Sequence, residues 1–349
     1  MRILITGGAG FIGTNITLSA IEKGHTVLNL DCLSYSGSLE NLVSVENHPK
    51  YSFEKADIRD QMKIHNILDS FQPDYIFHLA AESHVDRSID SAFTVLSTNI
   101  MGTCVLLDEF TKYWTKRECP ANLIFHHIST DEVFGSVKNN IKFDEDTKYN
   151  PLNPYSASKA SSDHLVRAWT NTHGIPAIIT NCSNNYGPYQ FPEKLIPLTI
   201  TNALMNRKIQ IYGDGKQIRD WIYVDDHVDA LFSVMEKGKV GETYMIGSDN
   251  ECCNIDIVKN ICSILDKKLP SNNSYSSLIE YVSDRPGHDR RYAINSTKIR
   301  NELSWNPQIK ISKGLEKTVS WYLENKAWIN NILSVNRLNT KIGKGYKGK

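Results

Sequence analysis

The chain opens with a short β-branched run, RILIT (residues 2–6), that breaks directly into three glycines at G-x-x-G-x-x-G spacing, Gly7, Gly10 and Gly13. A helix-length stretch, residues 12–23, follows without a linker. Strand, tight turn and helix in immediate succession commit the N-terminus to a βα unit, because glycine lets the backbone turn sharply and pack against the strand. The N–H groups left free where such a helix starts form an anion site, and a dinucleotide pyrophosphate fits it. Asp31 ends the next strand-like run, eighteen residues past Gly13. A carboxylate there accepts hydrogen bonds from an adenosine ribose and repels a 2′-phosphate, which favours NAD over NADP.

The same alternation continues. Runs 26–30, 75–80, 122–129 and 177–183 read as strands, and 60–70, 92–113 and 155–172 as helices. This predicts an α/β fold, a Rossmann-type doubly wound parallel sheet covered on both faces. After residue 184 the pattern loosens into Pro-, Gly- and Asn-rich loops with helices at 193–206, 225–236, 254–266, 296–303 and 312–325. That shift predicts a smaller C-terminal α/β substrate lobe. The expected division is an NAD-binding domain over 1–183 completed by 214–247, a substrate lobe over 184–213 and 248–330, and a basic, flexible tail over 331–349.

Lys plus Arg and Asp plus Glu number 39 each, so no global field draws the chain to nucleic acid or to an anionic membrane. No apolar run approaches the ~18 residues of a membrane span. A strand beginning at residue 2 leaves no room for a leader segment. The seven cysteines (32, 104, 119, 182, 252, 253 and 262) lack C-x-x-C spacing. Neither a disulfide framework nor a metal site is expected, and a cytoplasmic setting fits best.

Chemistry enters at NPYSASKAS, where Tyr155 and Lys159 stand four apart behind a proline. On a helix they share one face, and the ammonium favours the phenolate, so a depressed Tyr155 pKa is expected. An exposed helix face would explain the pair equally well if it stood alone. Upstream, the run FHHISTDEVFGS ends a strand at Thr130 and sets two acids side by side, Asp131 and Glu132. An acidic loop facing solvent is the plain reading of those two. With a dinucleotide and a Tyr–Lys pair nearby they fit a richer sequence: Tyr155 removes the proton of a sugar hydroxyl while the dinucleotide takes the hydride to leave a ketone, one acid removes the acidified neighbouring proton, and the other expels a hydroxyl as water.

The Tyr–Lys pair resembles the short-chain dehydrogenase/reductase superfamily, and the chain length its extended branch. TGGAGFIG, HLAAESHVDRSI, STDEVFG, PYSASKA, NCSNNYGPYQFPEKLIPL, YGDGKQIRDWIYVDDH and DRPGHDRRYAI together resemble the nucleotide-sugar 4,6-dehydratases over roughly residues 1–325. The resemblance implies Tyr155 as base at C4 with Lys159 tuning it, Glu132 taking the C5 proton, Asp131 protonating the C6 hydroxyl, and Thr130 bonding the sugar near O4. It implies NAD contacts from Gly7, Gly10, Phe11, Ile12, Gly13, Asp31, Cys32, Leu33, Ser34, Asp57, Ile58, Leu79, Ala80, Ala81, Ser83, Thr98, Tyr155, Lys159 and Asn185. Substrate contacts would come from Ser83, Thr130, Asn184, Lys194, Leu195, Gln210, Tyr212, Arg219, Asn254, Arg285 and His288. His84 reads as a structural or lining residue.

The implied substrate is a nucleotide sugar, dTDP-glucose or UDP-glucose, since one methyl separates the bases. Gln210 and the Cys252–Cys253 pair depart from the family pattern beside the nucleotide. A 4-epimerase would not need the adjacent acids, and a silent NAD-binding protein would bind cofactor without turnover. The resemblance also implies a homodimer through the 92–113 helix and the Tyr-bearing helix, both apolar on more than one face.

Overall fold

The computed structural model describes residues 1–137, 141–284 and 287–335. Strand β1 (Arg2–Thr6) is buried from Ile3 onward and passes through the glycine turn into α1 (Phe11–Glu22). There follow β2 (Thr26–Asp31), β3 (Tyr51–Lys55), α2 (Gln61–Phe71), β4 (Tyr75–His78), α3 (Val85–Asp90), α4 (Ala92–Leu96), α5 (Gly102–Lys116), β5 (Ile124–Thr130), α6 (Pro154–His173) and β6 (Ala177–Cys182). After β7 (Asn184–Tyr186) come α7 (Leu195–Leu204), β8 (Ile209–Tyr212), β9 (Ile218–Tyr223), α8 (Val224–Lys237) and β10 (Thr243–Ile246). The last elements are β11 (Glu251–Cys253), α9 (Asn254–Lys268), β12 (Ile279–Val282), α10 (Thr297–Leu303), α11 (Ile311–Glu324) and α12 (Lys326–Val335).

The central sheet has seven strands in the order β10-β6-β5-β4-β1-β2-β3, every neighbouring pair parallel. The order reverses at β1, which pairs β2 on one side and β4 on the other. Ligands bind parallel sheets at such a switch point, beyond the C-terminal strand ends. Ile3 and Ile5 enter one apolar cluster with Phe77 and Ile128, whereas Leu4 enters another with Leu28, Ile76 and Phe125. This period of two, with both sides apolar, is what a sheet covered by helices on each face requires. Smaller sheets, β11-β9-β7 and β12-β8, lie beside a separate core holding Trp221, Tyr322 and Trp328.

Several elements differ from the sequence expectation. β3 (YSFEK) and β10 (TYMI) are too polar or too short to declare themselves, yet each completes the ladder at a sheet edge. The continuous helix expected over 92–113 is interrupted by a π-helical turn at Ser97–Met101. Just beyond it, a Cβ on Gly102 would come within 2.4 Å of Ile58 Cδ1, so the helix passes closer to the segment after β3 than a side chain permits. Asn99, inside the turn, accepts from Glu82 N at 2.8 Å and donates to Ser158 Oγ at 2.8 Å. At the other end, α12 runs to Val335, past the expected start of the tail, because Trp328, Ile329 and Ile332 insert into the second core. Residues 336–349 lie outside the described residues.

Candidate active site

A cleft of about 560 Å³ opens at the C-terminal ends of β1, β4, β5 and β6, with walls from both parts of the chain. Its floor is the glycine turn. Gly7 holds φ +76°, and a Cβ there would sit 2.8 Å from Ala80 N. At Gly13 a Cβ would meet Gly7 O at 2.2 Å, so α1 starts hard against the strand end. Asp31 closes that side, its carboxylate accepting from Ala9 N at 3.0 Å and Leu33 N at 2.8 Å. Burial pushes the Asp31 carboxyl up and these two N–H bonds oppose the shift.

Gly10, Phe11, Ile12, Cys32, Ser34, Asp57, Ile58, Leu79, Ala80, Ala81, Ser83, Thr98 and Asn185 line the same cleft. So do Asn184, Lys194, Leu195, Gln210, Tyr212, Arg219, Asn254 and His288 from the later segments. Leu33 does not line it: the residue adopts φ +56°, its side chain packs on the core, and its backbone N–H serves Asp31 instead. Arg285 lies outside the described residues.

The Tyr–Lys helix is set by its cap. Asn153 accepts from Ser156 N at 2.9 Å, Ser156 Oγ reciprocates, and Pro154 occupies the first turn where its missing N–H costs nothing. Tyr155 and Lys159 therefore face β5 together, both buried, with Lys159 Nζ donating to Ile128 O at 2.9 Å. The expectation of a depressed Tyr155 pKa is not met. Burial holds the phenol well above its usual range, and the nearby Glu132 carboxylate adds to it. Burial also draws Lys159 down, opposed by Asp163.

At the end of β5, Thr130 caps a single 3-10 turn, Asp131–Phe134. Its Oγ1 accepts from Glu132 N at 3.3 Å and donates to Asp131 Oδ1 at 3.3 Å. The turn sends Asp131 inward, 1 % exposed, while Glu132 stays at the cleft wall. Burial and the adjacent Glu132 raise the Asp131 carboxyl well above the usual range, which favours its protonated form. Two neighbouring acids thus have different roles available, one proton donor and one acceptor.

Among the described residues, buried polar atoms of the cleft that find no hydrogen-bond partner include Asp131 Oδ2, Ser183 Oγ, Asn184 Oδ1, Gln190 Oε1 and Trp221 Nε1. Unpaired buried groups are costly, and their gathering in one cleft marks where a polar ligand completes the bonding. The glycine cradle, Asp31 and these groups fit a dinucleotide with a polar second ligand.

A sequence model of the family described as GDP-mannose 4,6 dehydratase matches residues 4–318. The dTDP-glucose 4,6-dehydratase of Salmonella typhimurium strain LT2 is 52 % identical to the chain, with 100 % of each sequence covered. The solved dTDP-glucose 4,6-dehydratase of Bacillus anthracis, in complex with NAD, is 42 % identical at a TM-score of 0.85, covering 95 % of this chain and 99 % of that one. The Streptomyces venezuelae enzyme of the same name, with NAD and TDP bound, is 40 % identical at a TM-score of 0.87, covering 95 % and 100 %. The chain belongs to the dTDP-glucose 4,6-dehydratase family.

This dehydratase-family cleft sets the expected Lys194 and Arg219 beside Glu193, Trp221 and Tyr292, three residues that the sequence reading left out. Glu193 is buried between the two parts of the chain, accepting from Tyr35 Oη at 3.0 Å and lying 3.6 Å from His84 Nε2. Lys194 crosses the same boundary, its Nζ donating to Ser83 O at 2.8 Å. Arg219 is 5 % exposed, gives both terminal nitrogens to the carbonyls of Ile218 and Asp289, and stacks 4.2 Å over the Tyr292 ring. Tyr292 and Trp221 both line the cleft. Tyr292 and Glu193 sit inside quoted motifs, but a lone Tyr or Glu carries no spacing signal that marks it as part of a site.

Proposed function

We propose that this chain converts dTDP-glucose to dTDP-4-keto-6-deoxyglucose and keeps NAD bound through each turnover. The carrying observation is the Asp131–Glu132 pair, one acid buried with its carboxyl held well up beside one at the cleft wall, at the strand end opposite Tyr155 and Lys159. When bound, NAD would supply the hydride acceptor for C4, the hydride donor for C6 and a cationic ring. Gly7, Gly10, Gly13 and the α1 start would hold its pyrophosphate, and Asp31 its ribose.

Tyr155 takes the O4 proton, with Thr130 directing that hydroxyl and Lys159 favouring the phenolate. Ketone formation acidifies C5–H, and Glu132 removes that proton. Asp131 gives its proton to the C6 hydroxyl, which leaves as water. Glu132 returns its proton to C5 as C6 is reduced, and the proton gained by Tyr155 offsets the one lost by Asp131 over the cycle. Lys194 and Arg219 line the cleft and would meet the diphosphate, a role the resemblance extends to Arg285, and Gln210, Tyr212, Asn254 and His288 would surround the nucleotide. The test is mass spectrometry after offering dTDP-glucose and UDP-glucose together without added NAD. Loss of one water from the dTDP sugar alone supports the reading, loss from the UDP sugar changes the nucleotide, and two unchanged masses with NAD supplied refute it.

The working form we infer is a cytoplasmic homodimer built through α4–α5 and α6. Phe93, at 84 % exposure, Leu96 and Met101 place an apolar row along α4 and the π turn, which supports a covered face. Light scattering at micromolar concentration checks this: a monomer contradicts it, and Phe93→Glu should lower the mass of a dimer. The lobe division is likewise our reading, with the β10 segment belonging to the NAD-binding part because it pairs with β6.

A further inference from the structure

Asp163 has no role in the chemistry above, yet four side-chain donors converge on its carboxylate. It lies one turn past Lys159 on α6 and is completely buried. His127 Nε2 donates to its Oδ1 at 3.1 Å, while Ser129 Oγ at 2.9 Å, Tyr149 Oη at 2.8 Å and Asn181 Nδ2 at 3.2 Å all converge on Oδ2. Four donors and no like charge in contact describe a site made for the anion. The His127 ring presents its N–H to Asp163, since the other ring nitrogen, Nδ1, has no partner.

Two connections tie this anion to the reacting groups. Lys159 Nζ holds Ile128 O, and Asp163 holds the side chains of residues 127 and 129, so ammonium and carboxylate bracket one residue of β5 from consecutive turns of α6. Asn181 Nδ2 also donates to Thr130 O at 3.0 Å, a carbonyl that only accepts, which settles the orientation of that amide. One carboxylate therefore reaches the lysine along the helix and the Thr130 strand end through the amide. We propose that Asp163 is a positioning residue of the reaction, keeping Lys159 cationic inside the protein and fixing, through Asn181, the strand end that carries Thr130.

The charge balance around Lys159 agrees. Burial draws the ammonium toward neutrality, and Asp163 is the largest influence in the other direction. The other ionisable groups facing Asp163 are His127 on β5, Cys182 on β6, Tyr149 in the preceding loop, and Tyr155 and Arg167 on α6. His127 is pushed down to about 4, chiefly by burial, and so is neutral. Cys182 is pushed up to about 12 by burial and stays a thiol. Tyr149 is held up by burial and remains a phenol, while Arg167 lies 5.0 Å over the Tyr149 ring. Asp163 is left as the anion that can offset the burial of Lys159.

The proposal rests on the dehydratase reading, which wild-type turnover in the same assay checks separately. kcat is measured against pH on the NAD-loaded enzyme with dTDP-glucose for wild type, Asp163→Asn and Asp163→Glu. In Asp163→Asn the lysine loses its proton earlier, and the alkaline limb moves down by ~1 pH unit or more with KM little changed. Asp163→Glu, which retains the charge, keeps the wild-type limb. A profile scaled down uniformly, with the limb unmoved in Asp163→Asn, overturns the proposal. Where circular dichroism shows Asp163→Asn unfolded, the double variant Ser129→Ala with Tyr149→Phe decides. With two donors gone the carboxylate protonates more easily, and the acid limb rises by ~1 pH unit; an unmoved acid limb overturns it.

Discussion

Asp131 and Asp163 are the same residue at nearly the same depth, 1 % and 0 % exposed, and the fold treats them in opposite ways. At the rim of β5, Asp131 has a weak contact from Thr130, a bare Oδ2 and a neighbouring Glu132, and its carboxyl is held well up. Directly behind the strand, Asp163 collects four donors and is held down despite complete burial. Burial alone raises both; the donors decide the sign. The rim leaves a carboxyl oxygen unsatisfied where a substrate will come, and the layer behind gives both oxygens of its carboxylate a donor. Reactivity and support are separated by the thickness of one strand.

The comparison breaks first on activity. Asp131→Asn removes the proton donor and should lower kcat by ~10²–10⁴-fold, with reduced-nicotinamide absorbance building up on the enzyme. The same substitution should leave the urea midpoint unchanged or higher. A carboxyl raised in the fold contributes stability that is lost as pH rises through its folded pKa, so at neutral pH nothing stabilising is removed. A falling midpoint would mean that Asp131 is held as an anion after all.

Asp163→Asn should show the converse on stability. Its carboxyl is lowered in the fold, so its contribution is present above the unfolded pKa and lost as pH falls through the folded one. Stripping the charge from four aligned donors should cost ~3–5 kcal/mol at pH 7 in denaturant titration. A loss below ~1 kcal/mol would erase the contrast with Asp131.

His127 sharpens the same point through pH. Buried neutral at about 4, it takes up a proton on unfolding anywhere between there and its ordinary 6.5. Stability from this residue therefore falls as the solution is acidified below pH ~6.5, by ~1.4 kcal/mol per unit, or ~2 kcal/mol at pH 5. His127→Gln, which retains a donor toward Asp163, should flatten the stability–pH slope by that amount between pH 4 and 6.5. An unchanged slope would place the titration elsewhere. The smallest effect belongs to Tyr149→Phe. One hydrogen bond to an anion is removed from a half-buried tyrosine, for a loss of about 1.5 kcal/mol with kcat near wild type.

What was legible in the chain follows from how far apart the cooperating residues lie. The glycine turn, Thr130–Asp131–Glu132 and Tyr155–Lys159 each occupy one short segment whose local geometry sets their spacing. Glu193 and Tyr292 escaped notice because each matters only through a partner far along the chain, Tyr35 and Arg219 respectively. β3 and β10 were equally silent, since an edge strand of four or five residues is defined by its neighbour's ladder more than by its own pattern. The depressed phenol expected from a Tyr–Lys helix pair was the clearest error. Sequence spacing brings the ammonium near, but it does not report the acids that the sheet stacks around the same ring.

By itself, then, the sequence determined a parallel α/β sheet, a dinucleotide turn, a Tyr–Lys helix face and a strand ending in two acids. Backbone periodicity and turn chemistry act over a few residues and suffice for all of these. The tertiary structure decided which acid is pushed toward its protonated form, which carboxylate is held as an anion, and which lysine lies near that buried charge. Those outcomes depend on desolvation and on donors drawn from β5, β6, α6 and the loop at Tyr149, groups up to tens of residues apart that meet only when the sheet closes under the helix.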